Sequence, residues 1–376
     1  MASAEEAATH RPDVDRISMT SMNIAEVAQP STPLRRAAWK RPLNLSVVIL
    51  IMLGVAAVLL AGTVMLPHDP YIRYQTLAGT LHERAAWIYE RIHFDPAPID
   101  ILFVGPSRMA SGVDGPAISK LLSQQTGSDI KAVNFSFAQP GDDLFYAITK
   151  ETLGTKRVKL IVVGIVELQG RSGHPAFREL ADRGDVLTAP ILFNRGFLRN
   201  LAHLPMRQLR LAWYTLNPAA GGYQGHFNPA AYQGADLDTR KRFSWRLPDN
   251  PVDLNVTEAQ LASESQRYDR TLTHRYLPRP LDSVEFAVPR TYFAKIKELA
   301  DQHGAKLVLL YLPYYKGPEQ PFDSAQYEAI GPILNPSSLI DDWTLREDAA
   351  HFSDSGAARL SSWLSIQLEP YLRNDR

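Results

Sequence analysis

Two short stretches far apart in the chain carry residue types that together perform nucleophilic chemistry. Ser107 follows Gly105 and Pro106 at the turn that ends the apolar run Ile99 to Val104, and Asp348 stands three residues before His351. A serine hydroxyl attacks well only when a base takes its proton, and a histidine serves when a carboxylate orients its ring. An Asp three residues ahead of a His on a turn can reach Nδ1, leaving Nε2 to face Ser107. Taken singly, each residue has an ordinary reading: Ser107 a helix cap, Asp348 a turn former, His351 a helix-entry residue with a satisfied ring. In the chain order Ser, Asp, His they point instead to a catalytic set.

Such a set needs a scaffold, and the hydrophobic pattern supplies an α/β one. Short β-branched runs at Ile99 to Val104, Lys131 to Phe137, Val158 to Ile165, Lys306 to Leu312 and Ser338 to Ile340 read as strands. Helical periods at Gly115 to Gln125, Asp143 to Leu153, Pro289 to His303 and Ser355 to Arg373 alternate with them, which predicts a mainly parallel sheet covered on both faces. In open sheets of this kind the site forms at the carboxyl ends of the strands, where Ser107 falls. Residues 167–286 break the rhythm. This stretch of about 120 residues, rich in Pro, Gly, Asn and aromatics, is too long for a loop and reads as an inserted subdomain or cap.

Ahead of this domain lies an uncharged run, Asn44 to Leu66, long enough to cross roughly 30 Å of hydrocarbon. A buried core helix or a cleavable signal fits it less well, because it lies behind more than 40 residues of polar chain. The basic cluster Arg35, Arg36, Lys40 and Arg41 lies on its N-terminal side, which predicts a cytoplasmic N-terminus. The expected organisation is therefore a disordered cytoplasmic tail over 1–42, a transmembrane helix over 43–66, a stalk and linker over 67–98, and the main domain over 99–376. Within the stalk, Leu77, Leu81, Ala85, Ile88 and Ile92 predict one amphipathic helix from Tyr74 to Ile92.

Composition removes several classes. Forty basic against forty acidic residues offer no basic face for nucleic acid. With no cysteine there is no disulfide, thiolate chemistry or Cys-based zinc site. The ten histidines are scattered without a metal-binding spacing, and no phosphate-cradling glycine loop occurs, so no metal or cofactor is expected.

The motifs resemble those of the SGNH or GDSL-like serine esterases and acyltransferases. Phe103 to Met109 is similar to that family's first block, with Gly105, Pro106, Ser107 in place of Gly-Asp-Ser. Asp348, Ala349, Ala350 and His351 match its closing DxxH, and HFSDSGAARLSSWL is similar to its lead into the last helix. Asn134 to Gly141, NFSFAQPG, resembles the glycine block, which implies an oxyanion donor at the Gly141 N–H. The third block departs: where the family often has Gly-x-Asn-Asp, this chain has Gly164, Ile165, Val166, Glu167. The resemblance then leaves the oxyanion to the N–H groups of Ser107 or Arg108 and of Gly141, with the Asn134 side chain as a further candidate. Losing one donor commonly costs about 2.7 to 4 kcal/mol of transition-state stabilisation.

The likeness covers residues 99–166 and 287–372 and implies a flavodoxin-like three-layer sandwich. In layout the chain looks like the membrane-anchored branches that transfer D-alanyl groups to lipoteichoic acid or O-acetylate alginate. That implies a bacterial inner-membrane protein with an extracytoplasmic C-terminal domain, a polysaccharide acceptor, and a membrane-bound O-acyltransferase as acyl donor. Hydrolysis and transfer both remain open. So does a catalytically silent module that binds polysaccharide or scaffolds a synthase, which the missing amide near Glu167 favours.

For substrate contacts the candidates are Arg108, Tyr311, Tyr314, Tyr315 and Trp245. Trp245 belongs to a run of insertion aromatics (Trp213, Tyr214, Tyr223, Phe227, Tyr232, Phe243) that reads either as a sugar platform or as the insertion's own core. Glu151 and Glu167 have no evident role in the sequence.

Overall fold

A computed structural model describes residues 44–168, 170–242, 256–272 and 275–373. The expected tail and Trp245 lie outside these residues. The chain forms two units, one ending at Leu53 and one beginning at Gly54. The first described element, α1 (Leu45–Val64), is a 20-residue helix long and apolar enough to cross a membrane.

In chain order there follow α2 (Pro70–Gln75), α3 (Ala85–His93), β1 (Ile101–Val104), α4 (Ser107–Gly112), α5 (Gly115–Thr126), β2 (Ala132–Asn134), α6 (Asp142–Leu153) and β3 (Leu160–Ile165). The insertion holds α7 (Phe177–Leu180), α8 (Arg183–Leu187), α9 (Phe197–Leu216), α10 (Glu258–Thr271) and α11 (Asp282–Glu285). The chain then completes α12 (Ala287–His303), β4 (Lys306–Tyr311), α13 (Ser324–Ile330), β5 (Ile333–Leu334), α14 (Ser337–Ile340) and α15 (Asp354–Leu372).

All five strands are parallel, in the order β2-β1-β3-β4-β5. The direction of winding reverses between β1 and β3, and the crevice at that switch point is where doubly wound sheets place their sites. Alternation along the strands sorts the core into two layers. Leu102, Val104, Ile161, Val163, Leu307 and Leu309 pack with Phe145 of α6 and Phe293 of α12. Ile101, Phe103, Leu160, Val162, Val308 and Leu310 pack on the opposite side with Ile118 of α5 and Leu360 and Leu364 of α15. A side chain such as Phe103, fully buried, contributes about 1.5 to 3 kcal/mol by leaving water.

Local signals set the helix ends. Asp114 caps α5 by accepting from the Ala117 N–H at 2.9 Å, Pro116 fits its first turn, and Gly127 closes it at φ 68°. Thr257 and Gln260 form a reciprocal capping box that starts α10.

Three expectations need correction. The edge strand is Ile333–Leu334, whereas Ser338 to Ile340 lies in α14. A strand of two residues has no period to detect, and the apolar Leu339 and Ile340 are buried from a helical turn instead. The continuous helix from Tyr74 to Ile92 is broken into α2 and α3 by turns around Gly79, whose φ of 70° ends a right-handed helix. Nor do these helices stand apart: Tyr71, Tyr74, Ile88 and Ile92 join the core layer of the sheet. The insertion shares that core too, through Phe177, Leu180, Val186 and Leu204.

Candidate active site

Ser107 is aimed by the way β1 ends. A Cβ on Gly105 would lie 3.0 Å from the Gly164 Cα, and one on Gly164 would lie 2.9 Å from Pro106 Cδ. Two glycines thus let the Ser107 turn press against the end of β3, a contact that any side chain would prevent. Pro106, extended at φ −75° and ψ −176°, turns the chain into α4, and its carbonyl accepts from the N–H groups of Met109 and Ala110. The N–H groups of Ser107 and Arg108 precede the first helical acceptor and donate to no protein group among the described residues.

The loop after α14 supplies the other two groups. Asp348 Oδ1 accepts from the N–H groups of Ala350 at 2.7 Å and His351 at 2.8 Å, folding the turn around its own carboxylate. Its Oδ2 lies 2.8 Å from His351 Nδ1, and His351 Nε2 lies 2.9 Å from Ser107 Oγ. This geometry assigns the proton to Nδ1 and leaves Nε2 to accept from the serine hydroxyl. Phe352, buried, pins the turn to the core under α15, and Ser353 caps that helix. Burial raises the Asp348 carboxyl, but the hydrogen bond and charge of His351 and the two N–H groups outweigh it, so its pKa lies below the ordinary value. The carboxylate therefore stays ionised beside the imidazole.

Gly141 lies on a loop held alongside this turn. The Phe137 N–H donates to Gly105 O at 2.9 Å, and Ala138 packs on Ala110 of α4. A Cβ on Gly141 would sit 2.3 Å from His174 Cβ, so only glycine allows His174 to approach. That histidine holds the loop in turn: its Nε2–H donates to Ala138 O at 2.6 Å, and its Nδ1 accepts from the Ala176 N–H at 3.0 Å. Burial drives its pKa down to about 3, so the ring is neutral, as one donor and one acceptor require. The Gly141 N–H has no protein acceptor among the described residues. Nothing in the local sequence marks His174, a single histidine without motif.

The Asn134 side chain, an expected oxyanion donor, is bonded within the fold. Its Nδ2 donates to Met109 O at 3.0 Å and Val113 O at 2.9 Å, and its Oδ1 accepts from the Ser136 N–H. The amide is fully used in closing the carbonyl end of α4.

Arg108 and the three tyrosines, expected as substrate contacts, are likewise placed inside the protein. Arg108 is buried, donating from Nη1 to Glu167 Oε1 at 2.5 Å and to Leu312 O at 2.8 Å. Glu167 Oε1 also accepts from the Tyr314 N–H at 2.7 Å. Where an amide would donate in the family pattern, this carboxylate accepts, and it ties together the ends of β1, β3 and β4. Tyr311, Tyr314 and Tyr315 are buried, with hydroxyls donating to Pro318 O, Asp269 and Glu258. Glu151 pairs with His93 at 2.8 Å and is structural.

What does lie open beside the triad was missed. Glu264, Arg267, Tyr268 and Thr271, spaced as one face of α10, line a groove of about 390 Å³ together with Asp348. Tyr268 stacks on Tyr314 at 5.6 Å and 14°, yet remains 37% exposed. Glu264 also steadies the triad turn, accepting from the Ala349 N–H at 3.0 Å. The capping box followed by an i, i+3, i+4, i+7 polar set was the available signal. Two other insertion aromatics pack away from the groove: Phe227 stacks on Phe94 at 4.7 Å, and Tyr232 donates to Asp95 at 2.6 Å.

Among the described residues, Glu347, Asp348 and His351 bring potential ligand atoms within 4.8 Å of one another. Coordination through His351 Nδ1 or Nε2 would displace the hydrogen bond to Asp348 or to Ser107, so a metal and the triad compete for one imidazole. In comparison with known proteins, the chain matches no family model and no curated protein sequence.

Proposed function

We propose that this chain is a membrane-anchored serine acyltransferase or esterase of the SGNH type, acting outside the cytoplasm on a surface or exported polysaccharide. The observation that carries the reading is the continuous hydrogen-bond chain from Ser107 through His351 to Asp348. The strand order, the Ser107 turn after β1 and the DxxH turn before the last helix agree with it. In this reading α1 spans the bacterial inner membrane with its N-terminus in the cytoplasm, and the acyl donor is a membrane-bound O-acyltransferase.

Ser107 Oγ attacks the acyl carbonyl as His351 Nε2 takes its proton, and Asp348 stabilises the imidazolium. The tetrahedral oxyanion is met by the N–H groups of Ser107 or Arg108 and of Gly141. Collapse expels the leaving group, which takes the proton from His351, and leaves an ester on Ser107. His351 then deprotonates the incoming hydroxyl, from a sugar in transfer or from water in hydrolysis, and a second intermediate releases the serine. The α10 groove is the acceptor side, with Tyr268 offering a ring face to a pyranose.

The test is covalent labelling by a fluorophosphonate. Labelling of the wild type and none of Ser107→Ala supports the mechanism; absence from the wild type, or equal labelling of both, overturns it. Product analysis with an acyl ester and an oligosaccharide then separates the reactions, since acyl release that ignores the sugar marks a hydrolase. One observation favours a second reading, a silent SGNH-like binding or scaffold subunit: neither Asn134 nor Glu167 has a donor to give an oxyanion.

A further inference from the structure

Helix α9 is built with its polarity reversed. Its inward face carries Asn200, Leu204, Arg207, Gln208 and Leu211. Outward, Leu198, Met206, Leu209, Trp213 and Leu216 are between 49% and 83% exposed. These five fall at steps of three and four, with the exposed Ala202 filling the longer gap, so they form one apolar stripe along the whole helix. Arg199, exposed, borders it on one edge, next to Arg210, which pairs with Glu179 at 2.8 Å. A helix on a water-facing surface has the opposite arrangement, and a continuous exposed apolar patch of this length marks a surface meant for another phase or partner. Arg207, fully buried, is held inside by carbonyls, with Nη1 donating to Arg178 O at 2.7 Å and Ala181 O at 2.9 Å.

What covers the stripe follows from where the helix is fastened. Gln208 donates to Val64 O, the last residue of α1, at 3.2 Å, and Arg183 of α8 donates to Met65 O at 3.2 Å. The Asp69 N–H donates to Thr215 Oγ1 at 2.8 Å. Helix α9 is thus bonded to the point where the apolar helix ends, and the segment leading into it exposes Ile191 and Leu192 as well.

We propose that α9 lies flat in the headgroup and acyl boundary of the bilayer that α1 crosses, its stripe toward the acyl chains and Arg199 toward lipid phosphates. An amphipathic helix in this position buries its apolar face about 5–10 Å below the headgroups. The inference rests on the reading of α1 as a membrane span. Its consequence is mechanical: the domain is held to the bilayer by α9 as well as by α1, instead of swinging on a linker.

The absence of native cysteine permits single-site labelling of the full chain. An environment-sensitive fluorophore is attached in Met206→Cys, Trp213→Cys and Leu216→Cys, in Leu59→Cys of α1, and in Gln302→Cys on the exposed face of α12. Each protein is reconstituted in nanodiscs of phosphatidylcholine and phosphatidylglycerol and quenched by doxyl lipid or by aqueous iodide. The expected result is stripe labels quenched several-fold more by doxyl lipid than the Gln302→Cys label, and correspondingly protected from iodide. Iodide quenching equal to that of Gln302→Cys overturns the proposal, and so does protection from both quenchers, which means that protein covers the stripe. A lipid-quenched Leu59→Cys with iodide-quenched stripe labels sinks this inference alone; a water-exposed Leu59→Cys sinks the membrane span beneath it. Variants qualify only with wild-type thermal melts, and Leu209→Cys and Ala202→Cys replace any that fail.

Discussion

His351 Nε2 lies 2.9 Å from Ser107 Oγ although 244 positions separate the two residues in the chain. The distance is short enough for direct proton transfer and is set by the Ser107 turn after β1 and the Asp348 turn before α15. Ser107→Ala is expected to abolish fluorophosphonate labelling. Asp348→Asn keeps the nucleophile but loses the charge that stabilises the imidazolium, and is expected to slow labelling by about 10⁴. Intact-mass kinetics on the two variants check both outcomes.

The same carboxylate makes stability depend on pH. The Asp348 pKa is held below its ordinary value in the folded protein, so the native state binds its proton less readily than the unfolded chain. Its stabilisation is therefore fully present above the unfolded carboxylate value of about 3.9 and is lost as pH falls through the lower folded value. Thermal melts of wild type and Asp348→Asn should differ near neutrality and converge under acid. A difference that widens as pH drops would contradict this assignment.

Asn134 separates structure from catalysis. Because its Nδ2 serves Met109 O and Val113 O, Asn134→Asp removes two donors from buried carbonyls and should cost about 1 to 3 kcal/mol of stability. Labelling per folded molecule should fall far less than the 10² to 10³ typical of a lost oxyanion donor. Gly141→Ala moves both readouts: its new Cβ meets the His174 backbone, so the loop shifts, stability falls, and labelling per folded molecule falls by about 10² or more. Denaturant titration alongside labelling rates distinguishes the two.

These assignments show what a sequence can and cannot display. Ser107, Asp348 and His351 were legible because each sits at a turn whose local pattern announces it, a strand end with Gly-Pro or a DxxH before a helix. The alternating strands were legible for the same reason, since burial on two faces writes a continuous apolar run. Arg108 and the tyrosines read as substrate contacts, and Asn134 as an oxyanion donor, because their types suit those roles. Their side chains are engaged by other parts of the fold, as Arg108 is by Glu167 at a separation of 59 residues. Polar chemistry can be read from type, but whether it is already spent depends on tertiary contacts. The family pattern hid Glu167 in the same way, as a missing donor where the fold has placed a bracket.

Glu167 can be tested as that bracket. Glu167→Ala leaves the buried Arg108 guanidinium without its charge partner and frees the Tyr314 N–H, which should cost about 3 to 5 kcal/mol. Glu167→Gln keeps an acceptor oxygen for both donors and should cost less. If the alanine variant melts like the wild type, the pair does not organise the strand ends.

Tyr268 decides whether the groove beside Asp348 takes the acceptor. One face of the ring packs on Tyr314, and the residue lines the groove with Glu264, Arg267 and Thr271. Removing the ring should weaken a stacked sugar by on the order of 1 kcal/mol, the scale of an aromatic contact, which is roughly a fivefold rise in acceptor KM. Ser107 labelling, which needs no acceptor, should be unchanged in Tyr268→Ala, and Tyr268→Phe should keep the wild-type KM because it keeps the face. A Tyr268→Ala variant that loses labelling and acceptor turnover together would mean that the ring only supports Tyr314 and Arg108, and the acceptor would then have to enter from another side of the triad.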